Sequence, residues 1–293
     1  MKRRNLTNPY SIWFTFPALI VYSIFIVIPI FASLFLSFTD WNVNRWNTPE
    51  FAGIVNYVEI LSDDVFFTSL KNTLIFSFCT TILKMTMGLA LALVLAKQFK
   101  GNGIYRTIFY LPCVISITVI GVLFTAILST KGLLNNTLAL LNLDVLKNQW
   151  LGQYGSAMTW IIIIESWMWA GFNMFIFISG LHAIPSDYYE AADIDGVTKL
   201  QQFFHITLPL LIPAITVNVT LNIAGGMKVF DIVFILTNGG PGNVTQVLST
   251  FVYKSFTAGW LGESSAASII LTILVVVISF TLNKIFRNME VEA

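Results

Sequence analysis

Long apolar stretches alternate with shorter polar segments along the whole chain, and the apolar stretches set its architecture. An α-helix rises about 1.5 Å per residue, so crossing the roughly 30 Å hydrocarbon layer takes about 20 mostly apolar residues. Six stretches reach that length: Ile12–Phe38, Thr73–Lys97, Ile104–Leu128, Ser156–Leu181, Leu208–Gly226 and Ser265–Phe286. Backbone polar groups in lipid must be paired within the segment, which makes each of these runs a helix. The pattern therefore predicts an all-α membrane protein of about six transmembrane helices. Pro17, Pro29 and Pro112 fall inside spans and predict kinks. The fifth stretch opens on Pro209 and Pro213, and its apolar character resumes after Lys228. The first run is about twice the length of a signal-peptide core and lacks a small-x-small cleavage site, so it reads as a retained span. On these boundaries residues 1–11 form an N-terminal segment, 12–286 one membrane domain and 287–293 a tail.

Composition excludes the soluble alternative. Only 11% of the 293 residues are charged and 56% are hydrophobic, against roughly 25% charged in a soluble domain. The net charge of +1 gives no field for nucleic acid. Cys79 and Cys113 both lie in apolar runs and read as buried, unpaired thiols rather than a disulfide framework. Orientation follows from Lys and Arg near the span ends. With the N-terminus inside, the inner segments hold Lys2, Arg3, Arg4, Lys97, Lys100, Arg106, Lys199, Lys284 and Arg287. The outer ones hold Arg45, Lys71, Lys131, Lys147, Lys228 and Lys254. The excess places both termini in the cytoplasm. Trp41, Trp46 and Tyr57 in the first outer connection suit the membrane interface.

The inner segment between the fourth and fifth spans reads as two short helices. Ser186 is placed to cap the first, with Asp187 and Glu190 at its positive end. Ala191 and Ala192 are small enough to let a partner approach the backbone. Gly196 can take the left-handed conformation that ends a helix. Thr198 can cap a second, amphipathic helix with Leu200, Phe203 and Phe204 on its apolar side. Glu190-Ala191-Ala192, Gly196, Ile206, Leu208 and Pro209 match every fixed position of the pattern E-A-A, three residues, G, nine residues, I-x-L-P. That pattern is the EAA loop of binding-protein-dependent ABC importer permeases, which this chain resembles from Tyr10 to Phe286. Gly103–Pro112, Phe230-Asp231-Ile232 and Leu236–Pro241 resemble the maltose/oligosaccharide branch, the last two being similar to an outer re-entrant segment of its maltose-F-like permease. The chain lacks the large outer domain and extra N-terminal spans of the maltose member. The resemblance implies a type I importer fold in the cell inner membrane and a cytoplasmic coupling helix. It implies alternating-access import of a sugar or related carbohydrate. Tyr188, Tyr189, Glu190, Ala191, Ala192, Asp193 and Gly196 would meet the ATPase. The implied partners are a second permease in a heterodimer, two ATPase subunits and an extracytoplasmic solute-binding protein.

No phosphate-cradling G-x-x-x-x-G-K-[ST] loop occurs, so ATP and Mg²⁺ are expected on the partner ATPase and no cofactor on this chain. No catalytic constellation and no metal-ligand spacing is present; His182 and His205 flank the loop and read as interface residues. Ionisable groups inside spans are costly and mark function. Glu165, Trp169 and Phe172 share a helix face, with Asn173 beside it, and Asn218 and Asn222 are one turn apart. Such a set suits a sugar, whose rim needs hydrogen bonds and whose faces are apolar. It equally suits polar glue between helices. Lys84 reads as structural, paired or snorkelling. A secondary transporter using Glu165 as a proton relay would account for the carboxylate but not for the spacing of the loop.

Overall fold

The computed structural model describes residues 12–45, 49–153 and 155–289. Lys2, Arg3 and Arg4, the rest of the N-terminal segment, Trp46 and the last four residues lie outside them. The chain divides into two compact units, Met1–Ser62 with Lys254–Ile269, and Asp63–Tyr253 with Ile270–Ala293. Among the described residues it is helical, apart from one isolated antiparallel bridge between Thr39 and Phe51. The structure matches the expected fold class, with five helices long and apolar enough to span, or six counting one bent pair.

In the first unit, α1 (Trp13–Leu36) buries none of its most apolar window. Pro17 sits in the first turn of its α-helical part, which follows a 3-10 turn, and a missing N–H costs nothing there. Pro29 acts differently. Its ring displaces the carbonyl four residues back, and the N–H of Ile28 bonds to Ser23 O, five residues back, in a π turn. Below α1 the amide of Asn56, on α2 (Val55–Ile60), donates to Ser37 O and Thr39 O at 2.8 Å each. Ser37 Oγ and Tyr57 OH share a further bond at 2.7 Å.

The second unit is built on α3 (Asp64–Leu95) and α7 (Ser156–Ala183), its most extensive helix pair. The second span begins at Asp64 rather than Thr73, because Asp63 Oδ1 caps it by accepting from Val65 N at 2.8 Å. The buried side of α3 is polar: Ser69, Thr73, Ser77, Thr80 and Lys84 face inward while Ile75, Phe78, Ile82 and Val94 are exposed. Lipid is as apolar as leucine, so close approach and hydrogen bonds, not apolar burial, hold such helices together. Four of these hydroxyls are retired onto nearby carbonyls, as Ser69 Oγ donates to Val65 O, Thr73 Oγ1 to Ser69 O and Thr80 Oγ1 to Phe76 O, while Ser77 Oγ reaches across to Ile223 O. Cys79 departs from its sequence reading. It lies on the exposed side of α3, and Cys113 is half-buried; both are free thiols.

The third apolar stretch is two helices, α4 (Asn102–Val114) and α5 (Ile117–Leu128), with extended backbone at Ile115 and Ser116. Pro112 removes a helix bond one turn earlier. The C-terminal end of α3 is held by α4, as Asn102 and Arg106 both donate to Leu95 O. The fifth stretch is also broken. α6 (Leu133–Leu140) and α8 (Asp187–Ile194) precede α9 (Lys199–Leu210) and α10 (Ile212–Met227), and the last two meet at 64° around Leu211. The device of Pro29 recurs here: before Pro209, Leu208 N bonds to Phe203 O in a second π turn, and Pro213 starts α10. α11 (Asp231–Thr237), α12 (Leu248–Thr257) and α13 (Leu261–Arg287) complete the chain. Asn72 staples the segment after α11 to α3, donating to Val244 O and Gln246 O at 2.7 and 2.9 Å.

Helix α7 approaches α4 so closely that a Cβ on Gly171 would strike Phe109 O and lie 2.7 Å from Tyr110 Cα. Gly171→Val should lower the stability of the purified protein by at least about 1–3 kcal/mol, the range for overpacking. Gly103→Ala, where a Cβ meets nothing within 4 Å, should leave it unchanged. Thermal unfolding followed by size-exclusion fluorescence checks both, and equal midpoints would remove the close-packing account.

Candidate functional site

A cavity of about 260 Å³ opens beside the middle of α7, lined by Lys84, Glu165, Trp169, Phe172, Asn222 and the 228–232 segment. It gathers four of the six polar or aromatic residues singled out from sequence: Glu165, Trp169, Phe172 and Asn222. The other two do not line it. Asn173 is wholly buried, accepts from Asn222 Nδ2 at 2.5 Å and donates to Trp169 O at 3.0 Å. Asn218 donates to Ala214 O at 3.1 Å and does not line the cavity. The Asn222–Asn173 bond joins α10 to α7, so Asn222 both holds the helices together and fronts the cavity.

Lys84 takes the paired role among those its sequence reading left open. Its Nζ lies 2.9 Å from Glu165 Oε1, joining α3 to α7, with the two residues 4% and 8% exposed. The ammonium also sits 5.9 Å from the centre of the Trp169 ring, within cation–π reach. Opposite charges in two adjacent spans were the available signal, since each is tolerable in lipid only if the other neutralises it. Glu165 Oε2 has no hydrogen-bond partner among the described residues. The Trp169 and Phe172 rings stand edge to face, 5.9 Å apart at 89°. Chemically the cavity is lined by the Lys84–Glu165 ion pair, an amide and two aromatic rings, and the unpartnered Glu165 oxygen is itself buried. Among the described residues no cluster of metal-ligating side chains occurs.

The loop between α7 and α10 has the two-helix form read from sequence, with two differences. Ser186 stands at the N-cap of α8 but its hydroxyl does not cap; its carbonyl accepts from Tyr189 N and Glu190 N. Ala192 is only 6% exposed and packs inward, so its small size serves the loop's own packing, while Ala191 and Glu190 face out with Tyr188. Gly196 takes φ +71°, the left-handed region that a side chain would strain. Thr198 and Gln201 form a reciprocal capping box at the start of α9. Leu200 and Phe204 are exposed, so the apolar side of this helix has no cover within the chain. Lys199 Nζ bonds both oxygens of Asp193, at 2.8 and 3.1 Å. That bond, and a second from the Gln202 amide, hold the Asp193 carboxyl below its ordinary value. The stabilisation is therefore present above the usual aspartate range and is lost as pH falls through the lowered value. Each histidine holds a backbone carbonyl: His182 Nε2 is 3.1 Å from Ala96 O, and His205 Nδ1 is 3.0 Å from Gln201 O.

The ion pair predicts an asymmetry. Lys84→Met strands Glu165 and should destabilise the protein by about 3–5 kcal/mol, whereas Lys84→Met with Glu165→Leu removes both charges and should recover most of the loss. Unfolding midpoints of the two variants decide it; a double variant no better than the single one would mean that the pair is not what joins the helices.

Known proteins of the same build exist. The probable ABC transporter permease protein YurN of Bacillus subtilis is 39% identical over 294 aligned positions, covering 98% of this chain and 99% of that protein. The lactose transport system permease protein LacF of Rhizobium radiobacter is 34% identical, covering 95% of each. The trehalose/maltose transport system permease protein MalF of Thermococcus litoralis is 34% identical, covering 91% of this chain and 89% of that protein. Among solved structures, a chain of a bacterial alginate ABC transporter in complex with an alginate pentasaccharide-bound periplasmic protein superimposes with a TM-score of 0.82. It is 25% identical and covers 95% of this chain and 94% of that one. The family of binding-protein-dependent transport system inner membrane components matches residues 84–290, a stretch that holds the ion pair, the cavity and the loop, and this chain belongs to that family.

Proposed function

We propose that this chain is a multi-pass permease subunit of an ATP-driven sugar importer, with the cavity beside α7 as part of its substrate path and α8 as its contact with a separate ATPase. The observation that carries the coupling role is the outward presentation of Glu190 and Ala191 on a short helix whose exit is fixed by Gly196 at positive φ. The names of the relatives support a carbohydrate, since LacF and MalF serve lactose and trehalose/maltose systems. The cavity chemistry agrees: flat aromatic faces at Trp169 and Phe172 suit the apolar faces of a pyranose, and Asn222 and Glu165 suit its hydroxyl rim. At about 260 Å³ it is slightly below the usual range for ligand pockets, which fits one wall of a path completed by a second permease. ATP and Mg²⁺ bind the two ATPase subunits, whose closure moves the loop and opens the path toward an extracytoplasmic solute-binding protein. Both termini then lie in the cytoplasm.

Three measurements test this reading. Single cysteines at Gly101 and Lys199 should be labelled only from the cytoplasm, and those at Asn136 and Asn243 only from outside; a Lys199 site reachable from outside in intact cells overturns the orientation. Trp169→Ala and Asn222→Leu should weaken the apparent affinity for the transported sugar by about 1–3 kcal/mol, roughly 5- to 150-fold, without loss of assembly. Unchanged uptake kinetics in both would leave these residues as helix glue. Gly196→Val should leave the spans inserted but reduce ATPase recovery in pull-downs or uncouple hydrolysis from uptake, because a β-branched residue resists positive φ. Coupled transport at the wild-type level would falsify the role given to α8.

A further inference from the structure

The two faces of α8 do different things. Asp187, Glu190, Ala191 and Ile194 follow the i, i+3, i+4, i+7 spacing of one helix face and are all exposed. Tyr189, Ala192 and Asp193 follow the same spacing on the other side, and each is engaged by the chain itself. The hydroxyl of Tyr189 lies 2.9 Å from Thr207 Oγ1. Gln202 Nε2 donates to Asp193 Oδ1 at 2.5 Å and Lys199 to the same carboxylate. Gln202 is only 3% exposed, a rare placement for an amide unless it is satisfied, and here Lys199 Nζ also donates to its Oε1 at 3.2 Å. Both anchors land on α9, at its first turn and at the end of its π turn, immediately before Pro209 and the 64° joint at Leu211.

We propose that Tyr189, Thr207, Gln202 and Asp193 are positioning residues, which lock α8 onto α9 so that a displacement at the exposed face reaches the joint at Leu211 undiminished. The argument is mechanical. Only the short turn Asp195–Thr198 connects the two helices covalently, and its backbone bonds, Gly196 N to Asp193 O and Val197 N to Ala192 O, close the end of α8 without reaching α9. A single tie would still let α8 rotate about it. Two ties one helical turn apart, at Tyr189 and Asp193, remove both tilt and rotation. Tyr189 and Asp193 thereby leave the set of ATPase-contact residues and become the internal side of the same lever. This rests on the reading of α8 as the ATPase contact, but the lock itself is measurable without it.

The test uses the full complex with both permeases and the ATPase, in a background where Cys79 and Cys113 are replaced by serine. Spin labels are attached to cysteines at Asp187 and Phe204, both exposed. Pulsed electron resonance should give one narrow distance distribution in the parent. Tyr189→Phe with Thr207→Val, and separately Gln202→Leu, should at least double its width. Tyr189→Phe with Thr207→Ser loses the same tyrosine hydroxyl and should broaden likewise, whereas Thr207→Ser alone keeps both hydroxyls and should stay narrow. ATPase recovery in pull-downs should remain near the parent level in these variants and fall at least tenfold in Glu190→Lys. A broad distribution in the parent, or a narrow one in both disrupted variants, overturns the lock. Full ATPase recovery with Glu190→Lys overturns the contact role of α8 instead, while the lock stands or falls on the distance widths alone.

Discussion

The bond between Lys84 and Glu165 joins the two longest helices of the second unit where neither charge has access to bulk water. Each residue alone is a liability inside a span, and together they are neutral and directional. The register this sets between α3 and α7 also places Trp169 beside the ammonium and turns Glu165 toward the cavity. The same contact therefore organises packing and builds the wall of the candidate path. The second Glu165 oxygen is buried without a partner of its own, so the carboxylate depends on Lys84 for its neutralisation.

Around that bond the unit is assembled by the rules of lipid rather than water. Ser69, Thr73, Ser77, Thr80 and Lys84 of α3 are buried alongside Phe66, Phe76 and Ala92, and the hydroxyls bond to carbonyls. Helices approach through Gly171 to within backbone contact of α4. Three breaks in the helices lie beside a proline: a π turn before Pro29, another before Pro209, and extended backbone after Pro112. Where the ladder loses a bond the chain gains a joint, and the joint at Leu211 lies directly between the loop and α10, which carries Asn222 to the cavity. The loop and the cavity are thus connected through one bent span.

Much of this was legible in the residues. Apolar length gave the helical type of the spans and bounded their number at five or six, because a bilayer demands about 20 residues and internally paired backbone. The loop was legible in detail, since Gly196, Thr198 and the E-A-A spacing are local signals read within a few residues of one another. Helix ends were less so: hydropathy missed the start of α3 at Asp64, because a cap is a polar signal that an apolar count ignores.

What only tertiary structure decided was which residues meet. Lys84 and Glu165 are 81 positions apart, and Asn173 and Asn222 are 49 apart; no local pattern pairs them. Asn173, Asn218 and Asn222 look equivalent in sequence, yet only Asn222 of the three fronts the cavity, because side-chain direction depends on the rotation of each helix against its neighbours. Ala191 and Ala192 are adjacent and identical, and one faces out while the other is buried, since successive helix positions point about 100° apart. The sequence by itself determined the spans, the breaks at proline and the form of the loop, all of which follow from backbone chemistry. The partnerships of buried polar groups were decided by packing, where each group takes the partner that the fold brings within reach.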